Sequence, residues 1–451
     1  MQKDDLTVGP MARHFRTIAV PAAFGMLFAT LYNVVDIYFA GRLSTDAQAG
    51  LAIGFRAFFV LMAVGFGLSS ALSALVSNAK GANDNLQAQR YIVQGLSFGV
   101  IATAVSMVVG WVLGPYLIAL VSEPSAYRDA AMGYYRWLIF ALPSFFLAYG
   151  GNGILQAHGD SQSMQRALMV AAVANIGLNP FFMFGIPGLW NGMGFNGIAV
   201  ATIISQTGVM AYVITRILRL EVMRDVEWQA YRPHFISFRQ IIAQLIPASS
   251  AMMLLFVSGF VVQFALKEFG GHAVAAYGVA LRVEQILLLP VLGMTGALLP
   301  IAGQNFGATQ FDRVRAAIWF CWKAGFVMSL VAMPVLFFGG TFAMSMFSSD
   351  AEVIRIGASY LRVDAFLFPI YMMLFSVDSV LQAFKKPIWT FWISAYRQGF
   401  GVAFFVWLFI GLFGLDVMGV WLGIAISVIT GWALSLFILR RVARQTIGGL
   451  R

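Results

Sequence analysis

The sequence predicts an all-α polytopic membrane protein: twelve transmembrane helices in two pseudo-symmetric six-helix bundles. Three observations predict it. Of 451 residues, 60% are hydrophobic and 11% are charged, a composition outside the range of soluble domains. Apolar runs of membrane-spanning length recur from end to end, leaving nothing over for a soluble domain. The second half also repeats the first at a constant offset of 226 residues.

The pattern places helices at about residues 15–40, 49–77, 91–121, 128–157, 162–185, 194–220, 240–266, 275–304, 313–345, 352–383, 388–412 and 417–443. Residues 1–220 form a first lobe, 221–239 a linker and 240–451 a second lobe. The polar N-terminal stretch shows no cleavable signal pattern. The loops alternate in charge. One side collects nineteen Lys and Arg, among them Lys3, Arg13, Lys80, Arg224, Arg313 and Arg451; the other has Arg42, Arg128, Lys267 and Arg355. Basic loops stay cytoplasmic, so both termini are expected there, in a plasma (inner) membrane. The net charge of +10 is therefore a topology signal, and no basic face with interleaved aromatics suggests nucleic acid.

The first helix holds two irregularities. Pro21 removes a backbone hydrogen bond and invites a kink. Asp36 puts a carboxylate at membrane depth, where an acid usually marks an ion or proton path; solvation near a helix end is the plainer alternative. The longest connection, Arg216–Arg239, reads as a cytoplasmic linker or an amphipathic surface helix.

The repeat pairs Pro21 with Pro247, Arg56 with Arg282, Gly67 with Gly293, Gly81 with Gly307 and Pro143 with Pro369. It also pairs Tyr134 and Arg136 with Tyr360 and Arg362, and Leu155–Ala157 with Leu381–Ala383. Six helices per repeat give both halves one orientation, with a site expected at the repeat interface. Shared Pro, Gly and Arg read as scaffold. Asp36, Asn175, Asn179 and Thr202 have no polar counterpart; they map to Val262, Gly401, Phe405 and Val428. All four fall at a similar depth, and Asn175 and Asn179 share a helix face. An acid among amide and hydroxyl oxygens can hold a proton or a hard cation such as sodium. Alternatively, these groups merely bond neighbouring helices.

The second half has its own polar residues: Glu284, Lys323, Asp364, Asp378 and Arg397. Glu284 is expected to pair locally with Arg282. Asp378 replaces Asn152 of the first half, near the cytoplasmic end of helix 10, where it is either solvated or functional. The 41 Phe and 22 Met can line an adaptable cavity or simply face lipid and core.

Other chemistry is missing. No GxxxxGK[ST] loop is present to bind a nucleotide. His14, His158, His234 and His272 are scattered, with no metal-ligand spacing, and no catalytic triad can be assembled. Cys321 alone cannot form an internal disulfide. No enzyme and no cofactor are expected. A channel is the other class to weigh, but two fused lobes suit alternating access and make a monomer sufficient.

The set of motifs resembles the MATE (multidrug and toxic compound extrusion) family, its DinF-like branch in particular. It comprises Pro21 with Asp36 fifteen residues later, Gly81-Ala82, Gly151–Asp160 (GNGILQAHGD), Asn175, Asn179-Pro180 and Gly303–Ala308 (GQNFGA). The resemblance covers essentially the whole chain. It implies a V-shaped pair of lobes and antiport of cationic, amphipathic compounds against protons or sodium. It gives Asp36 the coupling role, supported by Tyr32, Asn175, Asn179 and Thr202, with Pro21 as the hinge of a bending first helix. Asn179 stands where some relatives carry a second acid, and Tyr149 where some have asparagine, with Asn152 three residues on. Fewer oxygen ligands favour a proton over a sodium ion at Asp36, Asn175, Asn179 and Thr202. The NorM-like branch uses acids in helices 7 and 10, yet Pro247–Leu266 holds none. Glu284, Asp378, Asn152 and Tyr149 remain secondary polar candidates. A lipid-linked oligosaccharide flippase of the same superfamily is the alternative, with Arg56, Arg136, Arg282, Lys323, Arg362 and Arg397 as its cationic candidates.

Overall fold

The computed structural model describes residues 5–186, 188–224 and 226–450; Lys3 and Arg451, counted above among the basic residues, lie outside them. Twelve described helices are long and apolar enough to cross a membrane. They are α1 (Met11–Leu43), α2 (Thr45–Gly81), α3 (Asn85–Val121), α4 (Ala126–Ala157), α5 (Gln162–Phe184) and α6 (Asn196–Leu218). The second six are α7 (Phe235–Lys267), α8 (Gly271–Gly307), α9 (Phe311–Ser345), α10 (Ala351–Ala383), α11 (Ile388–Leu412) and α12 (Val417–Ile447). In lipid the helix satisfies every backbone group within its own segment, which is why apolar runs of this length become helices.

The helices outrun their apolar cores because polar residues cap them. Ser44 starts α2 by accepting from the Ala47 amide at 3.0 Å. Asp84 does so for α3 at Gln87 (2.9 Å), and Asp416 for α12 at Met418 (2.9 Å). Such caps satisfy amides that have no partner inside the helix. The connection after α6 is not a surface helix. It makes two short 3₁₀ turns, Glu221–Met223 and Trp228–Tyr231.

The repeat is visible in the backbone. α2 and α8 each have 37 residues, with both ends 226 positions apart. Left-handed residues recur at the same offset: Asn83 with Thr309, Gly159 with Lys385, Gly188 with Gly414. The α11 segment differs from its counterpart α5. It contains two π-helical stretches, Ala395–Gly401 and Leu408–Leu412.

The chain divides into two compact units, one formed by Pro21–Ser249, the other by Leu6–Val20 with Ser250–Arg451. The division thus falls inside α1, between Val20 and Pro21, and inside α7, two residues after Pro247. Proline does not interrupt either helix: α1 and α7 run through their prolines as single elements. In the first unit the core is built on Phe58, Tyr134, Leu138 and Phe146, continued by Leu68, Leu72, Ile92, Leu155 and Val213. Close approach there depends on Gly153, where a Cβ would stand 2.0 Å from the Ser69 carbonyl oxygen. In the second unit Phe15, Phe368 and Trp421 are fully buried, with Phe15 packed on Phe320 at 4.9 Å. The N-terminal segment is fastened within that unit. The Leu6 amide donates to Gln304 Oε1 at 2.9 Å, and Arg313 donates to the Gly9 carbonyl at 3.1 Å.

Candidate functional site

The first unit gathers the private polar residues of the first half into one buried group. Asp36 sits seven residues before the end of α1, and Asn175 and Asn179 lie one turn apart on α5. Thr202 is in the second turn of α6. Asn179 Nδ2 donates to Asp36 Oδ1 at 2.8 Å and to Asn175 Oδ1 at 2.9 Å. The Thr202 hydroxyl lies 3.5 Å from Asp36 Oδ2 and donates to the Ile198 carbonyl at 3.0 Å. Asp36 is 3% exposed, and Asn175 and Asn179 are fully enclosed.

Tyr32 lies one turn before Asp36 and bonds Ser205 of α6 through its hydroxyl at 2.7 Å. Ser205 also donates to the Ala201 carbonyl at 2.8 Å. Two atoms of the group have no partner: Asn175 Nδ2 and Asn179 Oδ1. An enclosed carboxylate is costly unless donors surround it. Here one short bond from Asn179 and one long contact from Thr202 supply that support, and an unused donor and acceptor stand beside it. The group therefore has bonding capacity in reserve for a proton or a small cation. Among the described residues no three His, Cys, Asp or Glu side chains converge. A cation here would meet one carboxylate and otherwise amide and hydroxyl oxygens.

Tyr149 and Asn152 lie elsewhere in the unit, toward the end of α4. Tyr149 packs edge-on against Phe66 at 4.7 Å, and Asn152 Oδ1 is enclosed without a partner.

The second unit corrects one sequence expectation. Glu284 does not pair with Arg282; it accepts from Tyr360 Oη at 2.7 Å. The two residues lie on opposite sides of α8, since positions two apart point away from each other. Arg282 is exposed and Glu284 is buried. A second pair was not anticipated: Asp364, fully enclosed, accepts from Tyr371 Oη at 2.8 Å. Its other oxygen is unpartnered. Asp378 is half-buried rather than solvated, with Oδ1 enclosed and unpartnered. Arg397 is buried on the first π segment of α11, its stem against Gly431. Of the six cationic candidates, Arg56, Arg136, Arg282, Lys323 and Arg362 are exposed.

Sequence reasoning missed Ser205 and the two tyrosine–acid pairs. Ser205 is a small hydroxyl in an apolar helix, and nothing in the sequence separates it from Ser427 or Ser435. For Asp364 and Tyr371 a signal existed: a seven-residue spacing puts them on one face of α10.

The MatE family profile matches the chain twice, over residues 21–181 and 247–407. The two matches are themselves 226 residues apart. A relative described as "Probable multidrug resistance protein YoeA", from Bacillus subtilis, is 26% identical over 423 residues, covering 91% of this chain and 89% of its own length. An "FAD transporter" from Shewanella oneidensis is 24% identical, covering 85% and 84%. The fold matches an outward-facing multidrug resistance MATE family transporter of the MOP superfamily at a TM-score of 0.90, with 20% identity and 99% of both chains covered. With both halves matched and twelve membrane helices in place, this integral multi-pass membrane protein belongs to the MATE family of transporters.

Proposed function

We propose that the protein is a secondary active multidrug exporter, an antiporter of the DinF-like kind that exchanges cationic, amphipathic compounds for inward protons at Asp36. The observation that carries this reading is the Asp36 group: a lone enclosed carboxylate bonded to Asn179, with an unused donor and an unused acceptor at hand. The relatives named for multidrug resistance support the substrate class.

The mechanism follows from the bonds. With Asp36 ionised, Asn179 donates to it, and the Thr202 hydroxyl, 3.5 Å away, can turn from the Ile198 carbonyl to do the same. A proton arriving from outside converts one carboxylate oxygen into a donor, and Asn179 Oδ1 is an unused acceptor on the side chain already bonded to Asp36. The pattern joining α1 to α5 and α6 then changes. Coupling needs a differential free energy between two conformations, and this rewiring supplies one. α1 responds from Pro21 outward, where its membership passes to the first unit. Both termini are cytoplasmic in this reading, the basic loops remaining on that side.

The donor set favours a proton. Sodium would meet one charged ligand among neutral oxygens, and hard cations take most of their binding from carboxylates. The flippase alternative loses ground because only one of its six cationic candidates, Arg397, is buried. The FAD-transporting relative makes an anionic cargo the rival to keep. Efflux of ethidium, and separately of FAD, from vesicles under an imposed pH gradient tests the reading. Ethidium moving and FAD retained supports it; the reverse overturns the cationic substrate class.

A further inference from the structure

The first unit carries a second feature, away from the Asp36 group. A groove of about 420 Å³ runs between the start of α3 and the linker. It is lined by Arg90, Val93 and Gln94 on one side and by Ala230, Arg232 and His234 on the other. Gln94 holds it in shape. Its side chain is 2% exposed. Its amide donates to the Ala230 and Arg232 carbonyls at 2.7 and 2.8 Å, and its oxygen accepts from the His234 amide at 2.8 Å. Arg90 and Arg232 are exposed at the mouth. Among the described residues neither forms an ion pair. α3 itself holds no acid, and Asp84, just before it, is engaged in capping the helix.

The same face of α3 continues away from the groove. Steps of three and four residues lead from Arg90 through Gln94 and Ser97 to Ile101, Val105, Val108 and Val112. Those last four are exposed; Val108 is 67% exposed. The stretch from Ile101 to Val112 rises about 16 Å, half of the roughly 30 Å hydrocarbon core. Exposed Trp228, at 84%, directly precedes the groove-lining Gln229 in the linker, and exposed aromatics favour the headgroup level. Two unpaired arginines on a fixed frame, followed by an apolar track one leaflet long, have the shape and charge of one kind of molecule.

We propose that this groove binds the headgroup of an anionic phospholipid, with Arg90 and Arg232 on its phosphate and its acyl chains along Ile101, Val105, Val108 and Val112. Basic pockets at the ends of membrane helices recognise such headgroups. The assignment does not depend on what the protein exports.

The test uses the full chain in detergent, with phosphatidylglycerol, phosphatidylcholine or inorganic phosphate added in turn. Thermal unfolding and the number of lipids retained in native mass spectrometry are read together. Phosphatidylglycerol is expected to raise the Tm by several degrees and to stay bound; the other two are not. The double variant Arg90→Gln/Arg232→Gln should lose that shift while keeping the wild-type Tm without lipid, since both side chains are exposed. Arg136→Gln, an exposed arginine outside the groove, should keep it. An equal shift with phosphatidylcholine, or with phosphate alone, would overturn the lipid. A shift that survives the double variant, or disappears in Arg136→Gln, would overturn the site.

Discussion

The two halves share a backbone and differ in where they keep their polar groups. In the first half the private set is one acid, Asp36, among neutral partners on α5 and α6. In the second half acids meet tyrosines: Glu284 with Tyr360, Asp364 with Tyr371. The positions corresponding to Glu284, Asp364 and Arg397 in the first half are Phe58, Leu138 and Ala171. At these three positions the first half is apolar where the second is charged. A duplicated scaffold whose copies differ in their buried polar residues can assign different tasks to those copies. The packing differs in the same way. Gly153 lets α4 approach the α2 backbone, while its counterpart Ser379 keeps a side chain and donates to the Thr295 carbonyl at 2.8 Å.

Substitutions at matched positions can break this comparison. The largest effect is expected for Asn179→Leu, which removes the short donor to Asp36. A hydrogen bond to a charged group is worth about 1.5–3 kcal/mol, so proton-driven efflux should fall by roughly 10- to 100-fold. Efflux within a factor of two of wild type would mean that the asparagine is scaffold. Next comes Gly153→Ala. Overpacking costs about 1–3 kcal/mol, read as a lowered Tm, and an unchanged Tm would contradict the close approach. Ser379→Ala at the matched position should cost only about 1 kcal/mol, one neutral hydrogen bond. A Tm loss as large as that of Gly153→Ala would erase the contrast between the halves. The smallest effect on transport is expected for Asp364→Asn, which keeps an acceptor for Tyr371. Efflux should stay close to wild type, and abolished efflux would place coupling in the second half as well.

Much of this was legible in the residues. Twelve helices follow from apolar runs because lipid leaves the backbone no other solution. The repeat followed from Gly and Pro, whose backbone roles resist substitution. The Asp36 group was legible because a polar residue without a repeat partner in lipid calls for a reason. Other features were not. Helix ends lie outside the apolar runs, where Ser44 and Asp84 cap them. The π turns of α11 leave no composition signal. Tyr360 was legible only as the repeat partner of Tyr134, yet its hydroxyl has a task in the second unit that Tyr134 does not share: it donates to Glu284, which has no acidic counterpart. Repetition identifies a shared ring, not what the ring's hydroxyl bonds.

The most direct test of Asp36 as the coupling group is efflux of ethidium from vesicles under a pH gradient or a sodium gradient, with wild type beside Asp36→Asn. The amide keeps the size of the side chain and its bond capacity but cannot take up a proton. Transport driven by the pH gradient and lost in the variant is the expected result. Transport driven only by sodium, or undiminished in Asp36→Asn, would contradict it.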